Sequence, residues 1–232
     1  MANLLSIAEI EEILVKSGVW QKNGHFQLTS GRHSDQYLQC AMILQYPTYF
    51  EPIARHLAGL FDDLQFDLVL SPAMGGIVLG YEVARALGLR TLFTERENGI
   101  MCLKRSQVFE PGSRILVTED VLTTGKSVRE VIEVATALGG CVTAVGAIID
   151  RSAGAVQFGV PTRAVRTLEV QSFEASECPS LAADRIPRSN ECQSAPDQLH
   201  PDGLDAVFKG TSRCFHNYLF VDLFHQQLFA QR

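Results

Sequence analysis

The stretch ILVTEDVLTTGKS, residues 115–127, is the one on which the fold turns. Four mostly apolar residues run into the acidic pair Glu119-Asp120. Two more apolar residues, Val121 and Leu122, follow, and the run closes on Thr123-Thr124-Gly125-Lys126-Ser127. A short apolar run bounded in this way reads as a buried strand. It delivers two carboxylates to its carboxyl end and then opens a helix, with Ser127 or Thr123 available as the cap. Backbone N–H groups at a helix N-terminus point outward, and the helix dipole favours an anion there. Gly125 lets the backbone approach a phosphate closely, and hydroxyls on Thr123, Thr124 and Ser127 add donors. Paired carboxylates beside such a cradle suit the vicinal hydroxyls of a sugar, or waters on Mg²⁺. Together these features describe a seat for a ribose 5-phosphate. The pattern is neither GxxxxGK[ST] nor the dinucleotide fingerprint GxGxxG. The plain alternative is a capped helix after a strand that ends on two solvated acids.

Outward from this stretch, helices and strands alternate. Residues 6–17 predict a helix, with Ile7, Ile10, Ile13 and Leu14 at helical spacing. Residues 24–40, GHFQLTSGRHSDQYLQC, alternate like strands around a turn at Ser30-Gly31. Pro47 to Leu60 reads as a second helix. DLVLSPAMGG (67–76) is an apolar run closing on Pro and Gly, and GIVLGYEVARALG (76–88) a helix ending on Gly88. Residues 90–93 and 114–118 read as strands, 125–138 as a helix and 141–149 as a strand. Residues 94–113 read as a loop or mobile hairpin. Alternation with near-continuous apolar strands argues for a parallel sheet covered on both faces. Such sheets bind ligands at the carboxyl ends of their strands, where both Ser71–Gly76 and Glu119–Ser127 fall.

Composition sets outer limits. The chain has 232 residues, 46% hydrophobic and 20% charged, which suits one sizeable core with an extra segment. A net charge of −6 argues against a non-specific nucleic-acid binder. The N-terminus is too acidic and interrupted for a signal peptide, and no apolar run approaches the roughly 20 residues that span a bilayer. The six cysteines (40, 102, 141, 178, 192, 214) form no CxxC pair, and the six histidines (25, 33, 56, 200, 216, 225) share no ligand spacing with them. That reads as reduced cytosolic thiols without a zinc site. His25 and His33 read as turn or surface histidines. From about 188 the character changes. SNECQSAPDQLHPDG (189–203) looks like a linker, and CFHNYLFVDLFHQQLFA (214–230) is rich in aromatics.

ILVTEDVLTTGKS closely resembles the phosphoribosyl diphosphate (PRPP) signature of type I phosphoribosyltransferases. FQLTSGRHSDQY (26–37) resembles the N-terminal hood segment of the orotate phosphoribosyltransferase family. SPAMGGIVLGYEVARALG (71–88) looks like that family's diphosphate loop and following helix. FTERENGIMCLKRS (93–106) stands where the family has its mobile catalytic loop. AIIDRSAG (147–154) resembles the strand end with its base-contacting arginine, and LEVQSFEASECP (168–179) its closing segment. The resemblance covers roughly residues 5–187. It implies an α/β type I phosphoribosyltransferase fold: a central, mostly parallel sheet with helices on both faces, a small N-terminal hood and an extra C-terminal tail. The domain would span 1–187, with its hood mainly 1–40 plus 165–187. The tail, 188–232, is atypical, and its order is left open.

The activity implied by this resemblance is transfer of the 5-phosphoribosyl group from PRPP to orotate, giving orotidine 5-monophosphate and diphosphate with Mg²⁺. The magnesium would be held mainly by PRPP and water, with no direct protein ligand. By resemblance, Glu119 and Asp120 hold the ribose hydroxyls, Asp120 among the catalytic groups. The PRPP seat comprises Glu119, Asp120, Val121, Leu122, Thr123, Thr124, Gly125, Lys126 and Ser127, and the last five hold the 5-phosphate. Ala73, Met74 and Gly75 present amides to the diphosphate. Arg96, Lys104 and Arg105 are the catalytic loop cations, and loop 94–109 reaches into a neighbouring subunit, which implies a homodimer. Arg151 pairs with the orotate carboxylate, and Thr123 also touches the base. Ser30, Gly31 and Arg32 help close the base pocket, with Phe26 stacking or packing nearby. The implied location is the cytoplasm, with no nucleic-acid or membrane partner.

Each cation also has a plainer reading. Arg32 and Arg105 could be solvated, Arg96 paired with Glu95 or Glu97, and Arg151 paired with Asp150 or Glu119. The sequence departs from the family in places. Many members have lysine where Thr29 and Gly75 stand, a glycine and an aromatic where Ser106 and Gln107 stand, or a second cysteine after Cys178-Pro179 where Ser180-Leu181 stand. Three alternatives stay open: a phosphoribosyltransferase for another base, a weak or inactive PRPP-binding homologue or regulator, and a plain doubly wound nucleotide-binding domain.

Overall fold

The computed structural model describes residues 4–28, 30–179 and the backbone of 188–189. The chain divides into Met1–Glu191 and Cys192–Arg232, and the second unit lies outside the described residues. Thr29, Ser180 and Leu181 lie outside them too, as do the linker and aromatic stretch expected beyond Ser189.

Helix α1, Ile7–Lys16, starts where its local chemistry says it should. The Ser6 side chain accepts from the Glu9 backbone N–H while the Glu9 carboxylate accepts from the Ser6 N–H. This reciprocal pair satisfies two donors that an uncapped helix leaves open. Proline at the first position opens α2, Pro47–Gly59. Helix α3 runs Gly75–Leu87 and ends at left-handed Gly88, and α4 runs Lys126–Ala137.

The strands are β1 Trp20–Gln21, β2 Phe26–Gln27, β3 His33–Ser34, β4 Tyr37–Leu38, β5 Leu68–Pro72, β6 Arg90–Glu97, β7 Ile100–Leu103, β8 Arg114–Leu122, β9 Cys141–Asp150, β10 Thr162–Thr167 and β11 Arg188–Ser189. The main sheet has the order β10-β9-β8-β5-β6-β7. All its neighbours are parallel except the edge pair β6–β7. Alternate residues of the central strands serve opposite faces. Leu68, Leu70, Ile115 and Val117 pack with Val128, Val131 and Ala135 of α4. Val69, Leu116 and Ile148 pack on the other face with Leu57 of α2, Leu79 and Val83 of α3, and Leu14 of α1. Apolar burial on both faces explains why these strands read as continuous apolar runs.

The structure extends two strands, bears out the hairpin reading within 94–113 and adds one strand. Strand β8 runs on to Leu122, so Glu119 and Asp120 lie within its last turn of pleat and not beyond it; Val121 and Leu122 still pair with Ile149 and Asp150 of β9. The 94–113 segment is in part regular: β6 and β7 form a hairpin around Asn98-Gly99, both at positive φ. That dipeptide is a strong turn signal between strands. Strand β10, at the edge of the sheet beside β9, had no counterpart in the sequence reading.

The hood is a set of two-residue strands. β1 pairs with β4, and β2 pairs antiparallel with β3 around the Ser30-Gly31 turn. β11 joins β2 in parallel, so residues past 187 contribute backbone here. His33 bridges to Phe173 through N–H to carbonyl bonds in both directions, 2.9 and 2.8 Å. No helix among the described residues is long and apolar enough to cross a membrane.

Candidate active site

Three neighbouring parallel strands, β5, β8 and β9, end side by side, and the expected site residues cluster at their carboxyl ends. Beyond β5 the chain passes through Ala73 and Met74, joined by a cis peptide bond, into Gly75 and α3. The Ala73 N–H donates to the Thr94 carbonyl at 2.7 Å, which ties this loop to β6. Beneath it, the buried hydroxyls of Ser71 and Thr118 bond each other at 2.7 Å and fix β5 to β8. Gly75 faces Asp120 so closely that a Cβ there would stand 2.6 Å from Asp120 Oδ2. The expected diphosphate loop and the expected ribose acids are thus parts of one site.

The two carboxylates have different surroundings. Glu119 is 9% exposed and Asp120 is half-buried. The Asp120 carboxylate accepts the Val121 N–H at 2.8 Å, and Glu119 accepts the Asp120 N–H at 3.1 Å. Burial, followed by the adjacent Asp120 charge, pushes Glu119 up to about 8. A pair of acids that resist joint ionisation is primed to receive hydroxyl donors or positive charge. The nearby Cys40 thiol lies against the Asp120 carbonyl at 3.7 Å, and burial, then Asp120 and Glu119, holds its pKa well above the ordinary thiol value.

Glu119, Val121, Leu122, Thr123, Thr124, Gly125, Lys126, Ser127 and Val128 line one open depression. The expected cap is corrected here: neither Ser127 nor Thr123 caps α4. Gly125 occupies the N-cap position at φ 72°, without a side-chain cap bond. The first N–H groups of α4 are therefore not consumed by a capping side chain, save a 3.4 Å contact from Lys126 N–H to Thr124 Oγ1. Gly125 is required twice over. Its φ is left-handed, and a Cβ would come within 2.5 Å of Val156 Cγ1 and 2.8 Å of Phe158 Cζ.

At the end of β9, Asp150 accepts from the Ser152 N–H, the Ser152 hydroxyl and the Gly154 N–H, at 2.7–2.9 Å. It builds the turn and does not pair with Arg151. The Arg151 N–H donates to the Leu122 carbonyl at 2.8 Å, which places it beside β8. Among the described residues the Arg151 guanidinium has no carboxylate partner. Its charge reaches Tyr37, lowering a hydroxyl that burial otherwise pushes up. Tyr37 stacks on Phe26 at 5.7 Å, and Phe26 is buried. Tyr37, which the sequence reading did not single out, thus lies within reach of the Arg151 charge. Its alternation partner in the hood segment was the only available signal.

The remaining expected residues are further apart. Ser30 and Gly31 form the exposed β2–β3 turn. Arg32 is fully engaged: Nε donates to Ser172 Oγ at 2.9 Å, one Nη to the Ser172 carbonyl at 2.6 Å, and the other Nη to Glu174. It fastens the hood to the closing segment. The three hairpin cations are paired within the chain. Arg96 bonds Glu130 of α4, and not Glu95 or Glu97; Lys104 bonds Glu97 at 2.7 Å and Arg105 bonds Glu95 at 3.1 Å. The Arg96 and Lys104 pKa values are raised, first by these hydrogen bonds. Gln107 closes the hairpin's base by accepting from the Phe93 N–H and donating to the Phe93 and Lys104 carbonyls. Before it, Arg105 and Ser106 are both at positive φ, 57° and 55°.

Known proteins resemble the chain over most of its length. Over 171 residues the chain is 54% identical to the orotate phosphoribosyltransferase of Pelotomaculum thermopropionicum, covering 74% of this chain and 90% of that one. It is 58% identical over 158 residues to the enzyme of that name from Heliobacterium modesticaldum, covering 67% and 83%. This chain belongs to the orotate phosphoribosyltransferase family. The solved orotate phosphoribosyltransferase from Aeropyrum pernix superposes with a TM-score of 0.56 at 25% identity, over 68% of this chain and 93% of the other. No family model matches the chain. The fold is that of the type I phosphoribosyltransferases.

Proposed function

We propose that the protein transfers the 5-phosphoribosyl group of PRPP to orotate, forming orotidine 5-monophosphate and diphosphate in pyrimidine biosynthesis. The observation that carries this reading is the convergence of three strand ends. They bring Gly75 against Asp120, the α4 N-terminus next to Glu119, and an Arg151 without a carboxylate partner beside Leu122.

In this reading Glu119 and Asp120 accept from the ribose hydroxyls. Thr123 to Ser127 receive the 5-phosphate on the first N–H groups of α4. Met74 and Gly75 offer backbone amides to the diphosphate, while the Ala73 N–H, expected to join them, is taken by the Thr94 carbonyl. Arg151 takes the orotate carboxylate, a planar anion suited to its fork. Tyr37 walls the base, and Phe26 supports Tyr37 from behind. Arg32, Ser30 and Gly31 hold the hood in place around it.

The bond from the anomeric carbon to diphosphate loosens before the base attacks, so the protein's work is positioning and charge stabilisation. Arg96, Lys104 and Arg105 meet the charge that grows on diphosphate after exchanging their carboxylate partners for phosphate oxygens. The all-oxygen donor set of Glu119 and Asp120 suits Mg²⁺. That ion, carried by PRPP and water, would neutralise the departing diphosphate. We read the active form as a homodimer in which hairpin 94–109 serves the neighbouring site. The family's biosynthetic role and the free thiols of Cys40, Cys102, Cys141 and Cys178 suit the cytoplasm.

The deciding experiment is turnover of purified protein with PRPP, Mg²⁺ and a panel of orotate, uracil, adenine and hypoxanthine. Orotate-only consumption with diphosphate release is expected, and Arg151→Glu should abolish it. Turnover of a neutral base instead would remove Arg151 from the base pocket. PRPP binding without turnover would overturn the catalytic reading of the hairpin.

A further inference from the structure

Away from this site, three groups with metal-ligating atoms meet inside the hood. His25 precedes β2, His33 lies in β3, and Cys178 follows the short 3₁₀ turn Ala175–Glu177. All three are buried, at 3%, 5% and 5% exposed. The expectation of surface histidines with no relation to any cysteine is therefore corrected. The β2–β3 register pairs Gln27 with His33, so His25 and His33 are diagonal neighbours on one face of the hairpin. Cys178 is brought there by the closing segment, which docks through the His33–Phe173 bridge, Ser34 Oγ to the Gln171 carbonyl at 2.7 Å, and Arg32.

The spacing is that of ligands. His25 Nε2 is 2.9 Å from His33 Nδ1 and 3.4 Å from Cys178 Sγ, and all three atoms lie within 4.8 Å of one another. In a tetrahedral site with metal–nitrogen bonds of about 2.05 Å and a metal–sulfur bond of about 2.3 Å, the corresponding edges are about 3.3 and 3.6 Å. On the two edges from His25 a few tenths of an ångström of opening would match an ion, and the third edge lies within 4.8 Å. The donor set, two imidazoles and a thiolate, is that of a borderline ion and not of magnesium.

We propose that His25, His33 and Cys178 form a structural site for one zinc-class divalent ion that joins the N-terminal hairpin to the closing segment. The proposal is independent of the transferase reading. Three protein ligands leave a fourth position for solvent. In the ion-free cluster the short nitrogen–nitrogen contact requires a proton on one of the two rings. On binding, that imidazole moves its proton to its other nitrogen, both facing nitrogens present lone pairs, and the thiol releases one proton to solvent. An ion here would stabilise the hood, whose strands are only two residues long and cannot hold themselves.

The test uses the full chain, stripped with chelator and titrated with Co²⁺. The expected result is one equivalent bound, with a near-ultraviolet thiolate-to-cobalt band that Zn²⁺ displaces. The band should vanish in Cys178→Ser and persist in Cys141→Ser, Cys192→Ser and Cys214→Ser. Should Cys178→Ser fail to fold, X-ray absorption of the zinc-loaded native protein decides, with one sulfur and two nitrogen ligands expected. Absence of the band with sub-stoichiometric zinc, a band that survives Cys178→Ser, or an oxygen-only or multi-sulfur shell would each overturn the site and leave a metal-free hydrogen-bonded cluster.

Discussion

In the proposed reaction the strand-end seat and the β6–β7 hairpin both carry charge toward one substrate, yet they hold it by opposite means. In the seat, Glu119 and Asp120 are fixed by buried backbone, flanked by the Ser71–Thr118 hydroxyl pair and by Gly75. In the hairpin, Arg96, Lys104 and Arg105 end in solvent-facing ion pairs with Glu130, Glu97 and Glu95. Exposed pairs contribute little to stability and dissociate readily. In that reading the seat recognises a ribose in one geometry, which suits groups built into the sheet. A hairpin that releases and re-forms contacts in each turnover, as proposed, needs groups that are held weakly.

The largest expected effect tests the fixed side. Asp120→Asn keeps the shape and removes the charge, and should lower kcat by about 10²–10³ while leaving the melting curve nearly unchanged. Near-normal turnover would sink the assignment of the ribose seat. On the hairpin side, Lys104→Ala should cost about 10²-fold in kcat with no change in Tm. A mixed dimer of Lys104→Ala and Asp120→Asn chains should recover part of the activity, because one site then combines a native seat with a native hairpin. No recovery would count against sharing between subunits.

Protonation separates the regions further. Glu119 rises from 4.5 to about 8 in the folded chain. Between those values the folded state keeps a proton that the unfolded chain has lost, so stability falls as pH rises through this window and is level for this group on either side. The full shift sets an upper bound of about 5 kcal/mol on the decline across the window. The decline should disappear in Glu119→Gln, as read from Tm against pH. An identical slope in native and variant would place Glu119 in a wetter setting.

Gly125→Ala should destabilise by about 2–3 kcal/mol through its left-handed φ and the collision with Val156 and Phe158, and should raise the KM for PRPP. The smallest effect is a gain. Ser106 adopts φ 55°, where glycine is at ease, so Ser106→Gly should raise stability by about 1 kcal/mol in chemical denaturation.

The two regions also differ in how far the sequence disclosed them. The sheet was legible because Ile115–Thr118, Leu68–Leu70 and Val142–Ile149 are apolar on both faces, and only a covered parallel sheet accounts for that. The order of acids, hydroxyls and glycine from Glu119 to Ser127 likewise pointed to one strand end, where these residues line a single depression. Helix capping was misread, because Gly125 takes its position from Val156 and Phe158, some thirty residues on in the chain and invisible to local spacing. The hairpin was left undivided although Asn98-Gly99 marks its turn. The partner of Arg96 lies on α4, which local spacing could not supply. Nor could spacing bring Cys178 to His25 and His33, since that meeting depends on the closing segment returning to the hood.

Glu130 has a consequence for how the hairpin rests. It bonds Arg96, while Lys126, one helical turn earlier on α4, also lowers its pKa through charge. When Arg96 leaves, Glu130 is not stranded, because a second cation already lies in its field. Lys126 is the weaker of the two influences on Glu130, so in the proposed mechanism it offsets only part of the loss of Arg96 and leaves a balance between the paired and the departed hairpin. Ionic strength should shift that balance measurably, and Glu130→Gln should shift it toward departure at any salt concentration.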